Sequence, residues 1–376
     1  MTPIQMVDTK KQYLKIKEEV DAGIQEVLDS AAYINGKPVQ DFAKNLSAYL
    51  NIANTVTCGN GTDALQIAMM GLGLEPGDEV ITPSFTYIAT VEVIALLRLV
   101  PVFVDVDPKT FCIDPEQVVK AITPRTRAIV PVHLYGHAAN MEAILEIAQN
   151  HKLFVIEDNA QAIGGDYIFK DGTKKKNGTM GHVGATSFYP SKNLGAYGDG
   201  GALFTEENEL ALRLKMIANH GQQVRYYHEM VGCNSRLDSI QAAILNAKLK
   251  QLDSYISARQ QAAAYYDATF ADNKSLTVPF IASYSTHVYH QYTLLLEGVD
   301  RDGMAKYLAE QKIPSMIYYP VPVHRQKMFA SFSSSNIVLE VTDWLTDRVI
   351  SLPMHTELDE EQLQYITHHV LNYINA

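Results

Sequence analysis

Between residues 55 and 158 the chain alternates short, continuously apolar runs with longer segments of helical periodicity, and few folds accept that pattern. Thr55–Cys58, Glu79–Thr82, Val102–Asp105, Ala128–Val132 and Phe154–Ile156 read as strands, the last leading into Glu157-Asp158. Asp63–Met70, Thr90–Leu97, Glu116–Ala121 and Met141–Asn150 carry apolar residues at helical spacing between them. A strand without polar alternates is one covered on both faces, so the pattern predicts an α/β domain with a largely parallel sheet between helices. Ligands in such sheets gather at the carboxyl ends of the strands. Asp158 stands at one of those ends.

The flanks extend this core. An amphipathic helix is predicted over Lys11–Asp29 and a second over Val39–Leu50, after the Asn35-Gly36-Lys37-Pro38 turn. A long helical pattern runs from about Asp238 towards Tyr266. Beyond it, a strand at Tyr292–Leu296 and helices at Asp302–Gln311 and Glu360–Asn375 predict a smaller α+β domain. The expected division is a large domain over 1–250 and a small C-terminal one over 251–376, which suits a chain of 376 residues.

Composition narrows the function classes. A net charge of -11 argues against a general nucleic-acid or acidic-membrane surface, so an anionic ligand needs a local site. Cys58, Cys112 and Cys233 are far apart and form no CxxC pair, which reads as reduced thiols in a cytoplasmic protein rather than a disulfide frame or metal site. Met1–Val20 has no apolar signal core. The most apolar stretch, Val91–Val106, contains Arg98, Pro101 and Asp105 and is not a membrane span.

Three motifs carry chemistry. Lys192 follows the strand-like run Ala185–Tyr189 and precedes the glycine-dense Tyr197-Gly198-Asp199-Gly200-Gly201. Asp158 lies at a buried strand end, where a carboxylate is costly unless paired. A lysine for an aldehyde and an acid for a ring nitrogen point to a pyridoxal phosphate site, although Asp158 also reads as a structural acid bonded to backbone amides. Gly59-Asn60-Gly61-Thr62-Asp63 opens a helix whose N–H groups attract phosphate; Thr62 or Asp63 reads equally as a plain helix cap. Gln161 is placed to reach the ring's phenolic oxygen or to be an ordinary loop residue. Ser187 is placed to bond a phosphate or to be an ordinary strand serine, and Tyr87 to stack on a ring or pack in the core.

With those residues in order, the whole chain resembles the DegT/DnrJ/EryC1/StrS family of sugar-nucleotide aminotransferases, of the aspartate aminotransferase-like fold (fold type I). The resemblance is carried by Asn60–Leu65, Gly77–Ile81, Glu157–Gln161, Ser187–Lys192 and Asn234–Asp238. It implies Lys192 as the Schiff-base lysine, Asp158 on the pyridine nitrogen and Gln161 at the ring oxygen. It implies Ser187, Gly61 and Thr62 at the phosphate and Tyr87 as the stacking aromatic. It also implies Asn234 reaching the phosphate from a second subunit, hence a homodimer with shared sites, and L-glutamate as nitrogen donor. The string Leu194–Gly201 looks like the branch acting on 3-oxo sugars. His220-Gly221-Gln222, Arg225–His228 and Val231–Asp238 look closest to enzymes of UDP-2-acetamido-2-deoxy-3-oxo-hexuronic acid in O-antigen biosynthesis. Arg236 would suit a uronic carboxylate, or pair structurally with Asp238 or another acid. Tyr318, Tyr319 and His324 resemble the substrate-side loop, with Tyr318 where the uronate enzymes often carry histidine. A dTDP-linked 3-oxo-6-deoxyhexose is therefore the rival substrate. A PLP-dependent sugar dehydratase and a non-catalytic PLP-binding protein are the rival classes; Lys192 speaks against the first and the intact site against the second.

Overall fold

The computed structural model describes residues 2–332 and 337–375. In chain order it forms β1 (Asn54–Cys58), β2 (Glu79–Pro83), β3 (Val100–Val104), β4 (Thr126–Ile129) and β5 (Phe154–Asp158). A hairpin of β6 (Asp166–Ile168) and β7 (Lys174–Lys176) follows, then β8 (Val183–Ser187) and β9 (Gly201–Thr205). The seven-stranded central sheet has the order β1-β9-β8-β5-β4-β2-β3. From β8 to β3 every neighbour is parallel, while β9 lies antiparallel between β1 and β8. The carboxyl ends of β1, β2, β5 and β8 consequently share one edge, where β9 begins. Ser84, Asp158 and Ser187 lie there, and Gly59 begins the turn that leaves it.

The sheet is buried on both sides, as its apolar runs require. Val80, Val130, Ile156, Val183 and Leu203 pack with Ala64, Ile67 and Ala68 of helix Gly61–Gly71 on one face. Ile81, Ile129 and Val155 pack with Ile144 and Ala148 of helix Met141–His151 on the other. Each fully buried aliphatic side chain of this kind contributes about 1.5–3 kcal/mol.

After the exposed hairpin of β10 (Gln222–Val224) and β11 (Tyr227–His228), the chain enters helices Ser239–Leu249 and Leu252–Phe270. A three-stranded antiparallel sheet of β12 (Leu276–Thr277), β13 (Tyr292–Leu296) and β14 (Val349–Leu352) completes the fold with helices Arg301–Glu310 and Glu360–Ile374. Its core gathers Tyr266, Phe270, Tyr292, Leu308, Ile350, Ile366 and Val370, joined by Ile4 from the N-terminus. Arg259, 2 % exposed, ties helix Leu252–Phe270 to the segments before β13 and after β14 by donating to the carbonyls of Tyr289, His290 and Met354.

Two expected helices are each broken in two. Lys11–Asp29 divides at Ile16 into Thr9–Lys15 and Lys17–Ser30, and the stretch from Asp238 divides at Lys250-Gln251. Neither break holds glycine or proline, so local propensity carries no sign of it. Among the described residues no helix is long and apolar enough to cross a membrane.

Candidate active site

The turn after β1 builds the first wall. Asn60, not Thr62 or Asp63, caps helix Gly61–Gly71: its side chain accepts from the Asp63 N–H at 2.8 Å. Ala64 N–H bonds Asn60 O, so among the described residues only the N–H groups of Gly61 and Thr62 are left over at this helix start. A Cβ at Gly61 would stand 2.7 Å from Ser187 Cβ, which explains the glycine. Ser187 Oγ accepts from Tyr189 N–H at 3.3 Å and keeps its own proton free to donate. Two N–H groups and one hydroxyl at the positive end of an 11-residue helix suit a phosphate.

The end of β5 builds the floor. Asp158 is 5 % exposed and accepts one bond at each oxygen, from Thr90 Oγ1 at 2.7 Å and from Ala160 N–H at 3.1 Å. Those bonds use about half of a carboxylate's lone-pair sites, and among the described residues no cation pairs with it. The acid is thus built to hold a further proton donor, as a pyridinium nitrogen is. Its neighbour Glu157 has the opposite, structural role. Fully buried, it accepts from His133 Nε2 and from the N–H groups of Gly178, Met180 and Gly181. Burial alone would raise its pKa, but these donors hold it below the usual carboxylate value.

Lys192 follows β8 in a turn closed by Lys192 N–H to Tyr189 O and Ala196 N–H to Phe188 O, both at 2.8 Å. Burial of its amine lowers the pKa from 10.5 to about 8, partly opposed by the charge of Asp158. The amine makes no hydrogen bond among the described residues. A desolvated amine, an acid with spare acceptors and a phosphate cradle fit the aldehyde, ring nitrogen and phosphate of pyridoxal phosphate.

Gln161 is oriented from both ends. Its Oε1 accepts from Tyr135 N–H at 2.6 Å and its Nε2 donates to Tyr319 Oη at 3.0 Å. Tyr135 adopts φ +58°, a conformation costly for a non-glycine residue; it aims the N–H at Gln161 while its hydroxyl donates to Tyr318 O. Tyr87 is 57 % exposed, with its ring centroid 6.2 Å from that of Tyr319. Tyr87, Gln161 and Tyr319 are thus brought together, and Tyr318 joins through its backbone.

Three further expected residues have the following surroundings. Asn234 is exposed, on the loop that Ser235 pins by accepting from Gly59 N–H at 2.8 Å and donating to Asp63 Oδ2 at 2.6 Å. Arg236 is partly buried and has no acidic partner among the described residues, so the alternative of a structural pairing with Asp238 or another acid is not formed among them. His324 is 1 % exposed, with Nδ1 2.7 Å from Ser84 Oγ and Nε2 accepting from Arg325 at 3.4 Å. Both ring nitrogens are engaged, and this histidine ties the 317–324 loop to the end of β2. Thr90 and Tyr135 were not anticipated. A threonine at a helix start and a tyrosine after an apolar strand look ordinary in sequence.

The profile of the DegT/DnrJ/EryC1/StrS aminotransferase family matches residues 14–371. The UDP-2-acetamido-2-deoxy-3-oxo-D-glucuronate aminotransferase of Pseudomonas aeruginosa is 44% identical over 96% of this chain and 98% of its own. The dTDP-3-amino-3,4,6-trideoxy-alpha-D-glucose transaminase of Streptomyces venezuelae is 40% identical over 96% and 93%. Among solved structures, NtdA from Bacillus subtilis with bound cofactor PMP superposes with a TM-score of 0.89 at 31% identity, covering 96% of this chain and 82% of that one. The chain belongs to the DegT/DnrJ/EryC1/StrS aminotransferase family, with the fold of the PLP-dependent transferases.

Proposed function

We propose that this protein is a PLP-dependent aminotransferase that moves nitrogen from L-glutamate to the 3-oxo carbon of a nucleotide-linked sugar. The observation that carries the reading is the presence of both a desolvated Lys192 amine, unbonded among the described residues, and a buried Asp158 carboxylate that keeps spare acceptor sites. When bound, the cofactor supplies a carbonyl that carries nitrogen and a ring that withdraws electrons from the substrate carbon. The chain supplies the rest. Gly61 and Thr62 N–H and the Ser187 hydroxyl would hold the phosphate. Asp158 would accept from the ring nitrogen's N–H and so favour its protonated form, Gln161 would direct its second amide N–H at the ring oxygen, and Tyr87 would cover a face. Lys192 would take the proton from the α-carbon of the amino-acid donor in the first half-reaction and deliver one to the sugar's C3 in the second. A pKa near 8 suits both directions at neutral pH, and the intact lysine favours nitrogen transfer over dehydration.

Asn234, exposed on a pinned loop, is suited to complete the phosphate site of a second copy, so the working unit is a homodimer. Domain boundaries near 250 and a cytoplasmic setting accompany the reading. Arg236, half-buried without an acid, favours a sugar with a carboxylate: UDP-2-acetamido-2-deoxy-3-oxo-hexuronic acid, in cell-surface polysaccharide (O-antigen) biosynthesis. Tyr318, at the position where histidine often stands, favours a neutral dTDP-3-oxo-6-deoxyhexose instead. Mass spectrometry of the products from synthetic UDP-uronate and dTDP-6-deoxy 3-oxo sugars decides between them. Arg236→Ala should lower turnover of the uronate alone; equal loss on both substrates rejects the carboxylate role.

A further inference from the structure

We propose that Thr90 is a positioning residue for Asp158, aiming its carboxylate at the cofactor's ring nitrogen. The inference rests on the reading of Asp158 given above.

Thr90 is fully buried in the first turn of helix Ala89–Leu96. A helical threonine commonly returns its hydroxyl to the carbonyl one turn back. Thr269, Thr346 and Thr367 all do so here, donating to Tyr265, Thr342 and Leu363. Thr90 instead reaches out of its helix to Asp158 Oδ2, 68 positions away in the chain, at 2.7 Å. Its single proton is spent there, so in the 3.3 Å contact between the Thr86 and Thr90 hydroxyls Thr86 is the donor. The result is a directed chain, Thr86 to Thr90 to Asp158, running from the loop that carries Tyr87 to the acid at the floor.

The choice of a hydroxyl has a consequence. A cation at this position would hold the acid ionised but also cancel its charge. A neutral donor stabilises the carboxylate, fixes its rotation and leaves the full negative charge for a ring N–H. The Ala160 N–H on the other oxygen acts alike, but backbone cannot be exchanged by mutation. Thr90 is therefore the residue through which the acid's aim is set.

The test compares Thr90→Val, which keeps the shape and removes the donor, with Thr90→Ser, which keeps the donor and removes the methyl. Apoenzyme of each is titrated with pyridoxal phosphate, following visible absorbance, and the bound cofactor's absorbance is then scanned against pH. Thr90→Val should bind cofactor about tenfold more weakly or worse, as expected for one lost bond to a charged group, and shift the pH at which the bound cofactor's spectrum changes. Thr90→Ser should stay within about twofold of the native protein on both measures. Native-like binding and spectrum in Thr90→Val would overturn the proposal. So would equal loss in both variants, because the methyl rather than the hydroxyl would then matter. If Thr90→Val does not fold, Thr90→Ala against Thr90→Ser decides the same question. Failure of the native protein to bind cofactor at all would instead reject the underlying reading.

Discussion

The reactivity of Lys192 can be worked from its surroundings. Burial lowers its pKa from 10.5 to about 8. At pH 7 an amine of pKa 8 is neutral in about one molecule in eleven, against about one in three thousand at 10.5, a gain of about 300-fold in nucleophile. Capture of pyridoxal phosphate by apoenzyme should accordingly rise with pH and level off above a midpoint near 8, read by stopped-flow absorbance. Asp158 opposes the shift, so Asp158→Asn should move the midpoint lower. The same burial carries a stability cost. The unfolded lysine binds its proton up to about pH 10.5 and the folded one only to about 8, so the cost is complete below pH 8 and relieved between 8 and 10.5. Apo Lys192→Met should therefore be more stable than the native apo protein at pH 7, by at most about 3 kcal/mol, with the advantage fading above pH 8. A capture midpoint at 10 or above, with no gain in stability for Lys192→Met, would refute the argument that burial activates this amine.

Glu157→Gln places an amide where His133 and Gly178 N–H both donate, and should destabilise the fold by about 3 kcal/mol in denaturant unfolding. Because the native Glu157 pKa is held below 4.5, its contribution is present above that pH and lost as pH falls through the lower folded value; the variant should show a flatter acid limb. Gly61→Ala drives a Cβ to 2.7 Å from Ser187 Cβ, and should weaken cofactor binding by about tenfold or more with little change in far-UV circular dichroism. Ser235→Ala removes the clamp between Asp63 and Gly59 N–H and should weaken phosphate holding, seen as faster cofactor loss on dialysis.

Much of the architecture was legible because apolar periodicity reports burial. The five strands before Asp158 and the helices between them fall within a few residues of their expected limits, and β13 and helix Glu360–Ile374 do likewise. The antiparallel β9 was not anticipated: Gly201–Thr205 is apolar and buried, but the preceding glycines read as turn and nothing local states strand direction. The breaks at Ile16 and Lys250 lack a breaker residue for the same reason. At the site, Lys192, Asp158 and Gly61 announce themselves through residue type and spacing. Thr90 and Tyr135 act through partners 68 and 26 positions away, a relation that one sequence does not display. The burial of His324 was equally hidden, because an exposed loop histidine and one held between Ser84 and Arg325 look identical in sequence.

The central claim is that Lys192 and Asp158 make this chain a pyridoxal phosphate aminotransferase. The most direct measurement is the absorbance of the purified, cofactor-loaded protein before and after L-glutamate alone is added, with 2-oxoglutarate assayed in the same sample. The account predicts a visible band that moves to shorter wavelength as one equivalent of 2-oxoglutarate per site appears, with neither change in Lys192→Ala. No visible band in the loaded native protein, or a band indifferent to glutamate and to every other amino acid offered, would contradict it.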